Sequence, residues 1–116
     1  MAAKIIYLAS PYTHPRQSVM ERRFEQVTTV SAKLINAGYI IYSPIMHFHP
    51  IAARHDLPKD FFFWEEINLT ILSRCDELWI LKLAGWAESV GINGERAFAA
   101  LKSIPTKEIN PAPWLI

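Results

Sequence analysis

Three near-continuous apolar runs divide the chain, at residues 4–9, 38–43 and 76–83. Runs of this kind are typical of parallel strands that are covered on both faces of a sheet. A further short segment, Thr106–Ile109, is expected to form a fourth strand. The strongest of the four predictions is residues 76–83, since this run is led by an aspartate and is apolar almost throughout.

Helical spacing of apolar residues fills the intervals between these runs. A capping box of Ser18 and Glu21 predicts the start of a first helix, and Gly38 predicts its end. Asp60 is expected to cap a second helix, and a third is expected to open at Arg96. The alternating order predicts an α/β fold, a doubly wound parallel sheet of four to five strands with right-handed crossovers.

The loops at one sheet edge carry most of the candidate chemistry. In open α/β sheets, ligands bind beyond the carboxyl ends of the strands. The polar residues that follow the strands therefore indicate either a ligand site or only the ordinary polarity of loops. They are Ser10, Tyr12, Thr13 and His14 after the first run, Ser43, His47 and His49 after the second, and Trp86, Glu88, Ser89, Gly91 and Glu95 after the third.

Composition narrows the function classes. The 116 residues suit one domain, over residues 1–116, and the net charge of +1 gives no electrostatic case for nucleic acid or membrane partners. The single Cys75 excludes an internal disulfide, and no signal-peptide pattern or membrane-length apolar run is present, so we expect a cytoplasmic protein. Without a P-loop or a dinucleotide-binding glycine fingerprint, no cofactor is expected.

Residues 89–95 form the most informative segment, a glycine-punctuated stretch after the third strand. We expect a loop in which Gly91 and Gly94 provide backbone access or unusual dihedral angles. Glu95 would then lie in a first helical turn and stay ionised, as a nucleophile, a cation ligand or a plain surface charge. Tyr7, inside the first strand, needs a hydrogen-bond partner, which is either Glu95 or a water molecule.

Three further features each leave two interpretations open. Asn68 falls on or beside the inward face of the second helix, where its amide either ties down a loop or contacts a ligand. His47 and His49 would share one face of an extended segment, but no nearby cysteine or carboxylate completes a zinc set, so no metal is expected. The aromatic residues 61–64, together with Trp79, Trp86 and Trp114, indicate either homo-oligomerisation or base stacking in a pocket, for which Trp86 is the best candidate.

Several of these segments together resemble a known superfamily. They are Ile6-Tyr7-Leu8-Ala9-Ser10-Pro11-Tyr12, the aspartate-led strand and Ser89-x-Gly91-x-x-x-Glu95. They are similar to the nucleoside 2-deoxyribosyltransferase superfamily, which includes 2'-deoxynucleoside 5'-phosphate N-hydrolases. The resemblance is closer to domain-of-unknown-function family 1937, because of Ser43-Pro44-Ile45, His49-Pro50-Ile51, Cys75-Asp76-Glu77-Leu78 and Leu83-x-Gly85-Trp86.

The resemblance implies a flavodoxin-like or Rossmann-like fold, a dimer or tetramer, and cleavage or transfer at the N-glycosidic bond of a nucleoside or nucleotide. It implies that Glu95 attacks the anomeric carbon and that Tyr7 orients it. It also implies that Ser89 binds the sugar or phosphate side and Ser10 the phosphate. The remaining substrate-binding candidates are Tyr12, His14, Ser43, His47, His49, Trp86 and Gly91.

One position departs from the superfamily pattern. Asn68 stands where the enzymes carry an aspartate that supports protonation of the leaving base. An amide can bind a base but cannot transfer a proton to it. Turnover would therefore slow, unless His14, His47 or His49 supplies the proton. The alternative function is a non-catalytic nucleotide-binding module on the same scaffold.

Overall fold

The computed structural model describes residues 3–116. Four main helices connect four strands along these residues, one in the first connection, two in the second and one in the third, with short 3-10 turns at Trp86–Glu88 and Ala112–Trp114. The strands are β1 (Ile5–Ala9), β2 (Ile40–Tyr42), β3 (Glu77–Leu81) and β4 (Thr106–Ile109). The helices are α1 (Gln17–Asn36), α2 (Pro44–His55), α3 (Phe61–Leu72) and α4 (Val90–Leu101).

All four strands are parallel and lie in the order β2-β1-β3-β4. The chain winds from β1 to β2 in one direction and then returns to place β3 on the other side of β1. The direction of winding therefore changes between β1 and β3, which is where ligands bind in folds of this kind. The predicted doubly wound α/β sheet, of flavodoxin-like or Rossmann-like type, is confirmed.

Alternate residues of β1 pack into two separate cores. Ile6 and Leu8 join the apolar residues of α1 and α2, while Tyr7 and Ala9 join those of α3 and α4. This alternation follows from the two-residue period of a strand and explains why the run reads as continuously apolar. It places Tyr7 on the same face of the sheet as α4.

The helix α2 occupies a segment that was expected to be a loop. The Oγ of Ser43 accepts a hydrogen bond of 3.2 Å from the backbone N–H of Met46, and Pro44 takes the first helical position. Side chains two residues apart on a helix diverge by roughly 200°. The prediction that His47 and His49 share one face is therefore wrong: His47 is exposed and His49 is buried.

Two helix starts also differ from prediction. Arg16 occupies the N-cap of α1 and no side chain caps this helix, so Ser18 and Glu21 lie within the helix and form no capping box. The helix α4 begins at Val90 rather than at Arg96, with Ser89 as its N-cap. The ends predicted from Gly38, whose φ is 103°, and from the capping residue Asp60 are confirmed.

The two glycines of α4 make room for a neighbouring ring. Neither Gly91 nor Gly94 has a positive φ, so the expected unusual dihedral angles are absent there. A Cβ atom at Gly94 would instead lie 2.9 Å from the Phe61 ring, and one at Gly91 would lie 3.3 Å from it. The glycines therefore let the start of α3 pack directly against α4.

None of the helices within residues 3–116 combines the length and the apolar character needed to cross a membrane.

Candidate functional site

A cavity of about 460 Å³ opens at the carboxyl edge of the sheet. Loops after β1 and β3 and the starts of α2, α3 and α4 enclose it, which matches the position expected from the winding of the sheet. Its volume is within the usual range for small-molecule sites. Eight of the residues singled out from the sequence line it: Ser10, Tyr12, Thr13, Asn68, Glu88, Ser89, Gly91 and Glu95.

Glu95 is the buried acid of this cavity. Its side chain is 4% exposed, and Oε2 accepts a hydrogen bond from the hydroxyl of Tyr7. Burial raises the pKa of Glu95 from 4.5 to about 7, and the Tyr7 hydrogen bond opposes part of that rise. Because Glu95 lies in the second turn of α4, the helix dipole does not keep it fully ionised as expected. It is instead poised between its two charge states near neutral pH.

Tyr7 is fully buried and supports this acid from the central strand β1. Its partner is Glu95, which decides between the two alternatives left open by the sequence. Burial and the adjacent Glu95 charge raise the pKa of Tyr7 well above its usual value. The phenol therefore stays protonated and acts as a permanent hydrogen-bond donor.

Asn68 presents its amide to the cavity. With Trp64 and Leu72 it forms the buried stripe of α3, at four-residue spacing. It lines the cavity, and no loop carbonyl or N–H within residues 3–116 holds its amide. The interpretation that Asn68 ties down a loop is therefore not borne out within these residues, and its contact with a ligand stays a prediction.

Two serines contribute hydroxyl groups in different ways. Ser10 lines the cavity at the end of β1, and its buried Oγ has no hydrogen-bond partner within residues 3–116. Ser89 also lines the cavity, but its Oγ accepts a bond of 3.2 Å from the N–H of Ile92 to cap α4. Ser10 is therefore the hydroxyl that lacks a structural role, since buried polar groups are normally satisfied.

A chain of polar side chains leads away from Tyr12. The Tyr12 hydroxyl is hydrogen-bonded to Nδ1 of His49, whose Nε2 lies 3.1 Å from Oε1 of Glu21. Burial, followed by the charge of Glu21, raises the pKa of Tyr12 to about 12. His49 does not line the cavity itself, but Tyr12 connects it to the cavity.

The structure places four other predicted residues outside the cavity lining. Ser43 caps α2, and His47 is exposed beside the ring of Tyr42 at 6.2 Å. His14 accepts a hydrogen bond of 3.0 Å from the backbone N–H of Arg16. Trp86 is half-buried and packs against the core that contains residues of α3 and α4, with Nζ of Lys82 5.6 Å from its ring centroid.

Arg23 lines the cavity but was not predicted. Its guanidinium donates to the backbone carbonyls of Tyr12 and Thr13, at 3.2 and 3.0 Å, and to that of Ala84, at 3.2 Å. It therefore joins the loops after β1 and β3. Its position four residues before the buried Val27, on the inward stripe of α1, is the sequence pattern that points to it.

Aromatic residues form the apolar wall of the cavity. Phe61 and Trp64 belong to the aromatic set for which base stacking was one of two interpretations, whereas Phe48 was not predicted. Phe48 and Trp64 stack with ring centroids 4.7 Å apart and planes inclined by 17°, and Phe61 adds a third ring. Phe48 belongs to α2. Because that segment was expected to be a loop, the sequence did not predict that Phe48 lies in the wall of the cavity. The wall suits a flat, weakly polar ligand group.

Within the described residues, no group of three histidine, cysteine, aspartate or glutamate side chains is arranged to hold a metal ion.

No curated protein shows significant similarity to the chain. Residues 4–109 match the family described as Domain of unknown function (DUF1937). That match spans most of the chain and agrees with the resemblance carried by its motifs, so the chain belongs to the DUF1937 family.

Proposed function

We propose that this protein is an N-glycosidase of the nucleoside 2-deoxyribosyltransferase-like superfamily, acting on a nucleoside or nucleotide. The observation that carries the proposal is the Glu95 carboxyl group, buried in the cavity and held by Tyr7. A carboxylate removed from water and fixed by one donor is a typical nucleophile of retaining glycosidases. A purely structural acid would gain nothing from the cost of burial.

The proposed reaction begins with attack of an ionised Glu95 oxygen on the anomeric carbon. The bond from that carbon to the base nitrogen breaks, and a covalent glycosyl ester forms. Water, or a second base, then displaces Glu95 and regenerates the carboxylate. Because the pKa of Glu95 is about 7, roughly half of the molecules carry the reactive carboxylate at neutral pH.

The rest of the cavity supports a nucleoside or nucleotide as the substrate. The rings of Phe48, Phe61 and Trp64 offer an apolar surface for the faces of a base. Asn68 can hydrogen-bond to a base edge, and the unpartnered Ser10 hydroxyl can bind a sugar or phosphate oxygen. The predominance of apolar walls with a few polar groups is usual for small-ligand sites.

Release of free base from a panel of nucleosides and their 5'-monophosphates tests the proposal. Glu95→Gln keeps the shape of the side chain but removes the nucleophile, so we expect no base release above background. Glu65→Gln alters an exposed acid on α3 and should retain wild-type release. Mass spectrometry of the trapped enzyme should show one added sugar on the peptide containing Glu95. Base release that survives in Glu95→Gln would refute the assignment.

The second candidate is a nucleotide-binding module without turnover. Asn68 favours it, since a cavity-lining amide can bind a base but cannot protonate one. A ligand that binds only the folded state raises its thermal stability. A clear shift in unfolding temperature with a nucleotide, together with no base release after prolonged incubation, would favour this module over the enzyme.

We also propose that the protein self-associates. Phe62, Phe63 and Ile67 on α3 are 72%, 48% and 45% exposed, more apolar surface than one helix of a monomer usually presents. Sedimentation velocity should give a dimer or tetramer, and a monomer at micromolar concentration would exclude a stable oligomer.

A further inference from the structure

The proposed glycosidase reaction requires a proton that its two best-placed polar residues do not supply. Glu95 must be ionised to attack, and Asn68 has no transferable proton. A base that departs as an anion is a poor leaving group, so protonation during bond breaking typically contributes roughly 100-fold or more to the rate. The donor must reach the cavity and be reloaded after each turnover.

Tyr12 combines these two properties. Tyr12 lines the cavity, and its hydroxyl is hydrogen-bonded to the buried His49 of α2. On the far side of the imidazole, Glu21 of α1 accepts from Nε2 at 3.1 Å. The Phe24 ring lies 4.4 Å from the imidazole, centroid to centroid, and helps hold it in place.

The exposed fraction rises steeply from the first to the last of these three side chains. Tyr12 and His49 are 5% and 4% exposed, whereas the side chain of Glu21 is 47% exposed. One end therefore meets the cavity and the other meets bulk water. A buried imidazole with a hydrogen-bond partner on each ring nitrogen can accept a proton on one side and release it on the other.

We propose that Tyr12, His49 and Glu21 form a proton relay that protonates the departing base, with Tyr12 as the catalytic acid and the other two as positioning residues. The proposal rests on the N-glycosidase function proposed above. In this proposal Tyr12, rather than Asn68, donates the proton to the departing base.

The relay starts with His49 doubly protonated. Its Nδ1–H then donates to the Tyr12 oxygen and its Nε2–H donates to Glu21, which leaves the hydroxyl hydrogen of Tyr12 free to face the cavity. As the glycosidic bond breaks, its electron pair moves onto the base, which takes that hydrogen, and Nδ1 of His49 replaces it on Tyr12. The products are a glycosyl ester on Glu95, a neutral base and a neutral imidazole.

The second half of the reaction restores the starting state. Water attacks the anomeric carbon, the ester oxygen leaves as the Glu95 carboxylate, and the proton of the water returns through Tyr12 to His49. Charge and protons therefore balance over the cycle without another reactant.

The pKa of Tyr12, raised to about 12 by burial and by Glu21, is consistent with this role. The phenol keeps its proton throughout the neutral range, so the donor is always loaded. A phenol of that pKa is a weak acid by itself, which is why it needs an imidazolium to replace the proton as it leaves.

The test compares a purine substrate from the panel with its N7-methylated analogue, whose base already carries a positive charge and leaves without protonation. Tyr12→Phe should lower kcat on the ordinary purine roughly 100-fold, but by less than about threefold on the methylated analogue. His49→Gln should show the same selectivity. Tyr39→Phe and His55→Gln remove an exposed phenol and an exposed imidazole, and both should leave the two rates unchanged.

Each outcome has one meaning. Selective loss on the unmethylated substrate supports the relay. An equal loss on both substrates, with Glu95-dependent base release intact, overturns the relay and leaves the glycosidase function standing. Absence of Glu95-dependent release from both substrates overturns the proposed function and the relay with it.

Discussion

Replacing Glu95 with glutamine should stabilise the folded protein at alkaline pH, because the native structure holds this acid against its normal ionisation. Burial raises its pKa from 4.5 to about 7. A tenfold difference in acidity between the folded and unfolded states corresponds to about 1.4 kcal/mol, so the carboxylate costs the folded state ~3 kcal/mol above pH 7. The neutral amide of glutamine keeps the side-chain volume and can still accept from Tyr7, but it carries no such cost.

The direction of the pH effect follows from which state holds the proton. Between pH 4.5 and about 7 the folded protein keeps the Glu95 proton while the unfolded chain has lost it. The free energy of unfolding therefore falls as pH rises through this window and levels off above it. The advantage of Glu95→Gln over wild type should be about 2–3 kcal/mol larger at pH 8 than at pH 5.

Urea unfolding of both proteins at the two pH values measures this difference. All other ionisable groups are common to both proteins, so their contributions cancel when the wild-type change is subtracted from the variant change. Glu65→Gln, an exposed acid on α3, should give no pH-dependent gain. A stability difference between Glu95→Gln and wild type that is the same at pH 5 and pH 8 would mean that Glu95 ionises normally in the folded protein, and would exclude a raised pKa.

Three further predictions concern the same region. Tyr7→Phe removes the hydrogen bond that lowers the pKa of Glu95, so the rising limb of base release against pH should move above its wild-type position near 7; an unchanged limb would contradict this. Gly94→Ala places a Cβ 2.9 Å from the Phe61 ring and should destabilise the protein by about 1–3 kcal/mol in urea unfolding, with most of the loss absent when Phe61→Ala is already present. Ser89→Ala removes the cap of α4 and should cost about 1 kcal/mol by the same measurement; no loss would indicate that the cap is replaced.

The strands β1 and β3 were predictable because both of their faces are buried, so each reads as an apolar run, whereas the edge strands β2 and β4 are more exposed. The helix α2 was not predictable in the same way. Pro50 lies inside it and removes a backbone donor, and its polar His47 and His49 interrupt the apolar spacing. Its start was visible, since Ser43 followed by Pro44 is a typical N-cap and first position. The interrupted apolar spacing nevertheless led to the prediction of a loop, although the Ser43–Pro44 pair indicated a helix start.

The Tyr7–Glu95 contact was predictable as one of two alternatives, because a buried phenol needs a hydrogen-bond partner and Glu95 was expected at the ligand-binding edge of the sheet. The role of the α4 glycines was not, since the ring they accommodate comes from Phe61, which belongs to a different helix, and a steric neighbour of that kind leaves no mark in the local sequence. The link between Tyr12 and His49 also depends on α2, and so emerged only from the tertiary structure.

Arg23 ties together two loops that the chain sequence keeps far apart. Because one guanidinium spans carbonyls on both, neither loop can shift without stretching bonds to the other. Any ligand that displaces the segment near Ala84 therefore pulls on the backbone of Tyr12, across the mouth of the cavity. A lysine at this position has a single ammonium group in place of the guanidinium fork, so it would no longer join the two loops.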